Sequence, residues 1–167
     1  MKQILNEWRD YIENSTSKIM YHTTANEESA QSILTNGLIA DSETPGFTQM
    51  GSWADSTYGG KPIYLSFEKG RAGDGRLYEG ITFQVDITGI ELYPDLPTLV
   101  DFGAFVDEDG LNWHENEPEI LSYYLDDGFV SFEDLMDPDS PVASVAMTLT
   151  KTAVSLISIS PDKIKRL

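Results

Sequence analysis

The sequence predicts an α+β domain, and three features carry that reading. Strand-like runs and short helical runs are interspersed along the chain. "GITFQVDI" sets Ile81, Phe83 and Val85 against Thr82, Gln84 and Asp86, the period of two of a half-buried strand. At 167 residues and 40% hydrophobic, the chain fills one core rather than two.

Residues 3 to 13 place Ile4, Leu5, Trp8, Tyr11 and Ile12 at helical spacing. This predicts an amphipathic N-terminal helix within residues 1–16, docked on its own domain. The remainder, 17–167, reads as a single domain with an acidic insertion at about 101–148. "KIMYH" is a strand ending at His22. Thr24 and Glu27 have capping-box spacing for the next helix, with Ala30, Ile33 and Leu34 as its apolar stripe and Gly37 as its stop. Residues 40 to 61 form a turn-rich loop, of a length that usually marks function or mobility. "PIYLSF" is a short strand, and "GRAGDGRLYEG" a flexible turn. "EPEILSYYLDDG" and "SFEDLMDPD" read as short helices, the second capped by Ser131. "TAVSLISIS" is a further strand, and "SPDKIKRL" closes the chain.

Net charge is −17, and no Lys or Arg falls between Arg76 and Lys151. Phosphate contacts need cations, so no direct nucleic-acid binding is expected. The acidic stretch reads as a solvated surface, as an imitation of a nucleic-acid backbone, or as a divalent-ion site. "VDEDGLNWHENE" fails as an EF-hand loop, because with Gly110 as the turn glycine the first ligand position falls on Phe105 and the last on Asn116. No metal is predicted. There are no cysteines, which removes disulfides and thiolate metal chemistry. No apolar run approaches the roughly 18 residues of a membrane span, and the N-terminus lacks a signal-peptide core. The expectation is a soluble protein without membrane contact, in a cytoplasm or, if phage-encoded, in the host cytoplasm or virion.

His22 is one of only two histidines, the other being His114. The order strand, "HTT", helix ending "ILTNGL", loop, "IYLS" resembles the ADP-ribosyltransferase fold. The likeness covers roughly residues 18 to 100, and again "SLISISPDKIKRL". Members of that fold hold NAD in a cleft between two small sheets. They carry His-x-Thr/Ser on the first strand, Tyr-x-Ser/Ala on a later one, and an acidic residue downstream. His22 and Thr24 match the first motif, and Tyr64 and Ser66 the second. "GITFQVDITGIELYPDLP" is similar to the rifamycin-modifying subgroup, whose third residue is Asp. With "ILNEWRDYI", the whole arrangement also resembles ADP-ribosyltransferase-like proteins of tailed phages.

The resemblance implies a split-sheet core with short flanking helices and an extra N-terminal helix. It also implies NAD as substrate, with a mono-ADP-ribosyl transfer to a protein or small-molecule acceptor. His22 would bond a ribose hydroxyl while backbone fixes its other nitrogen. Thr24 would support that hydroxyl or a phosphate-side contact near a helix N-terminus. Tyr64 would lie against the nicotinamide ring. A carboxylate would grip the 2′-hydroxyl and stabilise the oxocarbenium-like state, as in glycosidases. In the common version a Glu begins one of the last strands, but Thr152 stands there and carries no charge. Asp95 is the substitute by analogy with the Asp subgroup, Asp101 is next, and Glu117 and Glu119 follow if the acidic segment folds over the cleft.

Plainer roles stand beside these. A histidine at a strand end is commonly hydrogen-bonded structure, Tyr64 alone is core material, and Thr24 alone is a helix cap. A pseudoenzyme that keeps the cleft without transfer, or a non-catalytic acidic protein engaging a basic partner, is the alternative. A metal-dependent hydrolase has only His114 and scattered carboxylates behind it.

Overall fold

The computed structural model describes residues 18–40, 58–70, 79–101 and 132–167. Among them the order is β1 (Ile19–Thr24), α1 (Glu27–Asn36), β2 (Ile63–Ser66), β3 (Ile81–Asp86), α2 (Leu96–Asp101) and α3 (Phe132–Leu135). Then come α4 (Pro141–Thr150), β4 (Thr152–Ser155), a 3₁₀ turn (Pro161–Lys163) and β5 (Ile164–Arg166). The strands form one five-stranded antiparallel sheet in the order β4-β2-β1-β3-β5. The α+β class is therefore what the chain adopts. No described helix is long and apolar enough to cross a membrane. The N-terminal helix, most of the 40–61 loop, the 71–78 part of the glycine-rich turn and the helix within 117–128 lie outside the described residues.

Burial follows the alternation of each strand. Met20, Ile63, Leu65, Phe83, Val85, Ala153 and Ile164 belong to one core cluster. The strand register puts all of them on one face of the sheet. Ala30 and Ile33 of α1, and Ala143 and Met147 of α4, complete that cluster. Each fully buried large side chain, such as Phe83 at 0% exposure, contributes about 1.5–3 kcal/mol.

The helix α1 forms where expected, but its cap is Asn26 rather than Thr24. The Asn26 backbone is extended, at φ −140°, and its Oδ1 accepts the Ser29 N–H at 2.9 Å. Thr24 instead remains the last residue of β1, opposite Ile81. Glu27, freed from a capping box, takes Arg166 of β5 as its ion-pair partner, with Nη2 2.8 Å from Oε2. The pair is exposed and adds little stability on its own.

Gly37 ends the helix at φ +84°, where its N–H donates to the Ile33 carbonyl at 2.9 Å. Leu38 and Ile159 then exchange two main-chain hydrogen bonds, at 2.9 and 2.8 Å, tying the end of α1 to the C-terminal segment. A Cβ on residue 37 would sit 2.2 Å from the Ile159 carbonyl oxygen.

"TAVSLISIS" is a strand only through Ser155, after which the chain leaves β4 to reach Leu38. The expected helix in "SFEDLMDPD" is present as the four-residue α3; Ser131 lies outside the described residues. Two helices were not expected at all, α2 and α4. Of these α4 has a legible start: Ser140 Oγ accepts the Val142 N–H at 3.1 Å, and Pro141 opens the first turn. It ends at Lys151, the one non-glycine described with positive φ, at 56°.

Gly37→Ala combines the left-handed backbone with a main-chain clash. It is expected to lower unfolding free energy by more than about 1 kcal/mol in urea titration, whereas Gly89→Ala, which meets nothing within 4 Å, costs less.

Candidate functional site

Neighbouring strands in this sheet are joined very unequally. β1 and β3 share six residue pairs and β2 and β4 share four, but β1 and β2 share the single pair Tyr21↔Ser66. One residue beyond it, the His22 side chain takes over from the backbone. Its Nδ1 donates to the Tyr64 carbonyl at 3.0 Å, across 42 residues of sequence. The two motifs singled out in the sequence are therefore in contact.

That bond determines what His22 can offer. A carbonyl only accepts, so the proton sits on Nδ1. Burial lowers the pKa of His22 below its usual 6.5, outweighing the Tyr64 carbonyl, which raises it. The imidazole is neutral at pH 7, and Nε2 presents a lone pair. Its natural partner is a hydroxyl or amine, not an anion.

Alternation separates the ring directions. Ser66 faces the same way as its partner Tyr21, and Tyr64 follows two residues away, opposite Val154. His22 belongs to the other set, with its pair Phe83. The motifs meet through the Tyr64 main chain, while their side chains leave opposite faces of the sheet, His22 on the face of Phe83 and Leu65. Both residues are partly exposed. Thr24 is partly exposed at the end of β1, two residues before the Asn26 cap. Ser66 is buried and turned on its own loop, with Oγ donating to the Glu68 carbonyl at 2.9 Å and accepting the Glu68 N–H at 3.1 Å.

Asp95 is wholly buried and caps α2. Its Oδ1 accepts the Thr98 N–H at 3.1 Å, and its Oδ2 accepts the Thr98 hydroxyl at 2.8 Å. Beside it lies Tyr58, which the sequence reading left inside a loop. The Tyr58 hydroxyl donates to the Pro94 carbonyl at 2.6 Å and accepts the Leu96 N–H at 2.8 Å. Burial first, then the nearby Asp95 and Tyr64, push its pKa well above 10. Tyr64 and Asp95 thus both lie near enough to act on the Tyr58 hydroxyl. No periodicity or motif marked Tyr58. Asp101 is the last residue of α2. Glu119, with Glu117, lies outside the described residues.

Thr152 opens β4 directly opposite Ser66. It is fully buried, and among the described residues its Oγ1 has no hydrogen-bond partner. Leaving a buried hydroxyl unsatisfied costs about 1–3 kcal/mol. A shallow hollow of about 170 Å³ lies elsewhere, lined by Gly89, Glu91, Tyr93, Leu156 and Ile157, and includes none of the candidate residues. Among the described residues, no three His, Asp or Glu side chains gather as a metal site.

Comparison with protein-family models, with curated proteins and with solved structures finds no match.

The depressed pKa of His22 has a stability consequence. Below about pH 6.5 the unfolded chain binds a proton that the folded imidazole resists. The contribution of His22 is complete above that pH and declines as pH falls towards the folded value. Nitrogen-15 NMR should show a protonated Nδ1 at pH 7 and a midpoint below 6.5, and His22→Asn should flatten the acid side of the stability profile.

Proposed function

We propose that this chain is an NAD-dependent mono-ADP-ribosyltransferase with an ADP-ribosyltransferase-like fold. The observation that carries the reading is the bond from His22 to the Tyr64 carbonyl at the one-pair junction of β1 and β2. Two motifs that the sequence holds far apart are adjacent there, and the ladder between their strands has ended.

The chemistry required is cleavage of the bond between nicotinamide and the ribose C1′. Nicotinamide departs with the bonding electron pair, which neutralises its pyridinium charge. An acceptor nucleophile forms the new bond to C1′ and gives up its proton. Positive charge builds on the sugar, so the site needs orientation and negative potential more than a strong base. His22 Nε2 accepts a hydrogen bond from a ribose hydroxyl, consistent with its neutral tautomer. Tyr64 lies against the nicotinamide, and Thr24 and Ser66 belong to the same NAD-binding set. Asp95, with both oxygens engaged by Thr98, acts through its field and by holding α2 and Tyr58 in place. Asp101 and Glu119 are the candidates for direct contact with the 2′-hydroxyl. The acceptor is a protein side chain or a small molecule. No metal and no nucleic acid enter the scheme.

A second reading is favoured by two observations of its own. Position 152 is uncharged, and Asp95, the candidate carboxylate by analogy with the Asp subgroup, is buried in a helix cap. A site so furnished suits a non-catalytic protein whose acidic stretch engages a basic partner. That reading predicts salt-sensitive association that ignores substitution at His22.

His22→Ala and Tyr64→Ala should each slow nicotinamide release from NAD by at least about 100-fold, the scale of losing a positioned transition-state contact. Mass spectrometry of released nicotinamide, with circular dichroism to confirm folding, makes the comparison. Turnover at wild-type rate in both variants removes the assignment.

A further inference from the structure

We infer that the shallow hollow lined by Gly89, Glu91, Tyr93, Leu156 and Ile157 is the docking site of the chain's own N-terminal segment, residues 3–13. This goes beyond the NAD reading and does not rest on it. The rim of the hollow presents apolar surface to water. Ile157 is 57% exposed. Ile39, at 48%, follows Leu38, which pairs with Ile159, and the next N–H, of Ala40, reaches Ser158 Oγ at 3.0 Å. These are two of the three large apolar side chains exposed among the described residues.

Three observations select the occupant. The first is where the segment enters. The Lys18 carbonyl accepts the Ile87 N–H at 2.8 Å, and the turn from Ile87 to Ile90 carries Gly89 of the hollow. The stretch from Ile12 to Lys18 reaches at most about 20 Å, enough to bring the segment onto the hollow from there. The second is pattern: Ile4, Leu5, Trp8, Tyr11 and Ile12 recur at helical spacing, and one such face suits an apolar rim. The third is charge. The Tyr93 hydroxyl donates to Glu91 Oε2 at 3.2 Å. Burial first, then Glu91 and Asp137, raise the pKa of Tyr93, so two carboxylates act at this rim. Lys2 and Arg9 extend the line of Leu5 and Ile12 and carry the matching sign. Residues 41–57 and 102–131 contain no Lys or Arg, and residues 71–78 have two arginines but no apolar stripe. A second copy of the chain would compete with a tethered segment whose effective concentration is about millimolar.

The chain has no cysteine, so engineered pairs report proximity cleanly. The test oxidises full-length Trp8→Cys/Ile157→Cys beside Trp8→Cys/Glu28→Cys, whose second position is exposed at the start of α1. The first pair should close within one chain at least about 10-fold faster than the second, and remain monomeric in size exclusion. A disulfide-linked dimer, equal rates for the two pairs, or no crosslink overturns the inference. Because Trp8→Cys removes part of the apolar stripe, a urea double-mutant cycle of Trp8→Ala and Ile157→Ala gives a second measurement. Midpoint losses smaller together than their sum support docking, and additive losses overturn it. Neither measurement involves NAD, so failure here leaves the proposed function untouched.

Discussion

Everything proposed for this protein depends on how β1 meets β2. A continuous antiparallel ladder would have paired residues 22 to 24 with 63 to 65 and closed the sheet. Instead pairing stops at Tyr21↔Ser66, and an imidazole supplies the next link to the Tyr64 carbonyl. A side chain can join two strands at one point without forcing them to remain parallel neighbours. The result is a sheet whose β2–β4 and β1–β3–β5 portions are each well paired, with a seam between them. The seam is where both sequence motifs reside, and the helix cap at Asn26 follows one of them directly.

His22 and Tyr58 near the seam are uncharged, in a chain of net charge −17, while Lys69 lies 5.8 Å over the Tyr21 ring and Lys151 pairs with Glu68 beside Ser66. Burial keeps His22 uncharged and Tyr58 protonated, each through the cost of placing charge where water is scarce. Asp95 is a buried carboxylate near Tyr58, and Thr98 bonds both its oxygens.

Much of this was legible in the residues. The alternation of Ile81, Phe83 and Val85, the apolar stripe of α1 and the Asn36-Gly37 stop each have a local cause, and the structure has them in place. The capping box at Thr24 failed because Asn26, two residues on, is itself a strong cap and the β1 ladder extends to Thr24. Helix α4 was missed although Ser140-Pro141 marks its start, since the acidic residues before it drew the whole region into one insertion. Tyr58 and the buried setting of Asp95 could not be read at all. Both arise from long-range packing of the segment around Pro94 against the residues before β2, which no spacing rule encodes. The one-pair seam is likewise a property of the assembled sheet.

The most direct test of the account is a titration of NAD into protein carrying nitrogen-15 histidine and labelled tyrosine, followed at the His22 Nε2 and Tyr64 ring signals. The account predicts that both move together with one dissociation constant, the Nε2 shift changing as its lone pair accepts a ribose hydroxyl. Saturating NAD with both signals unmoved, or binding that shifts only one of them, contradicts a single shared site.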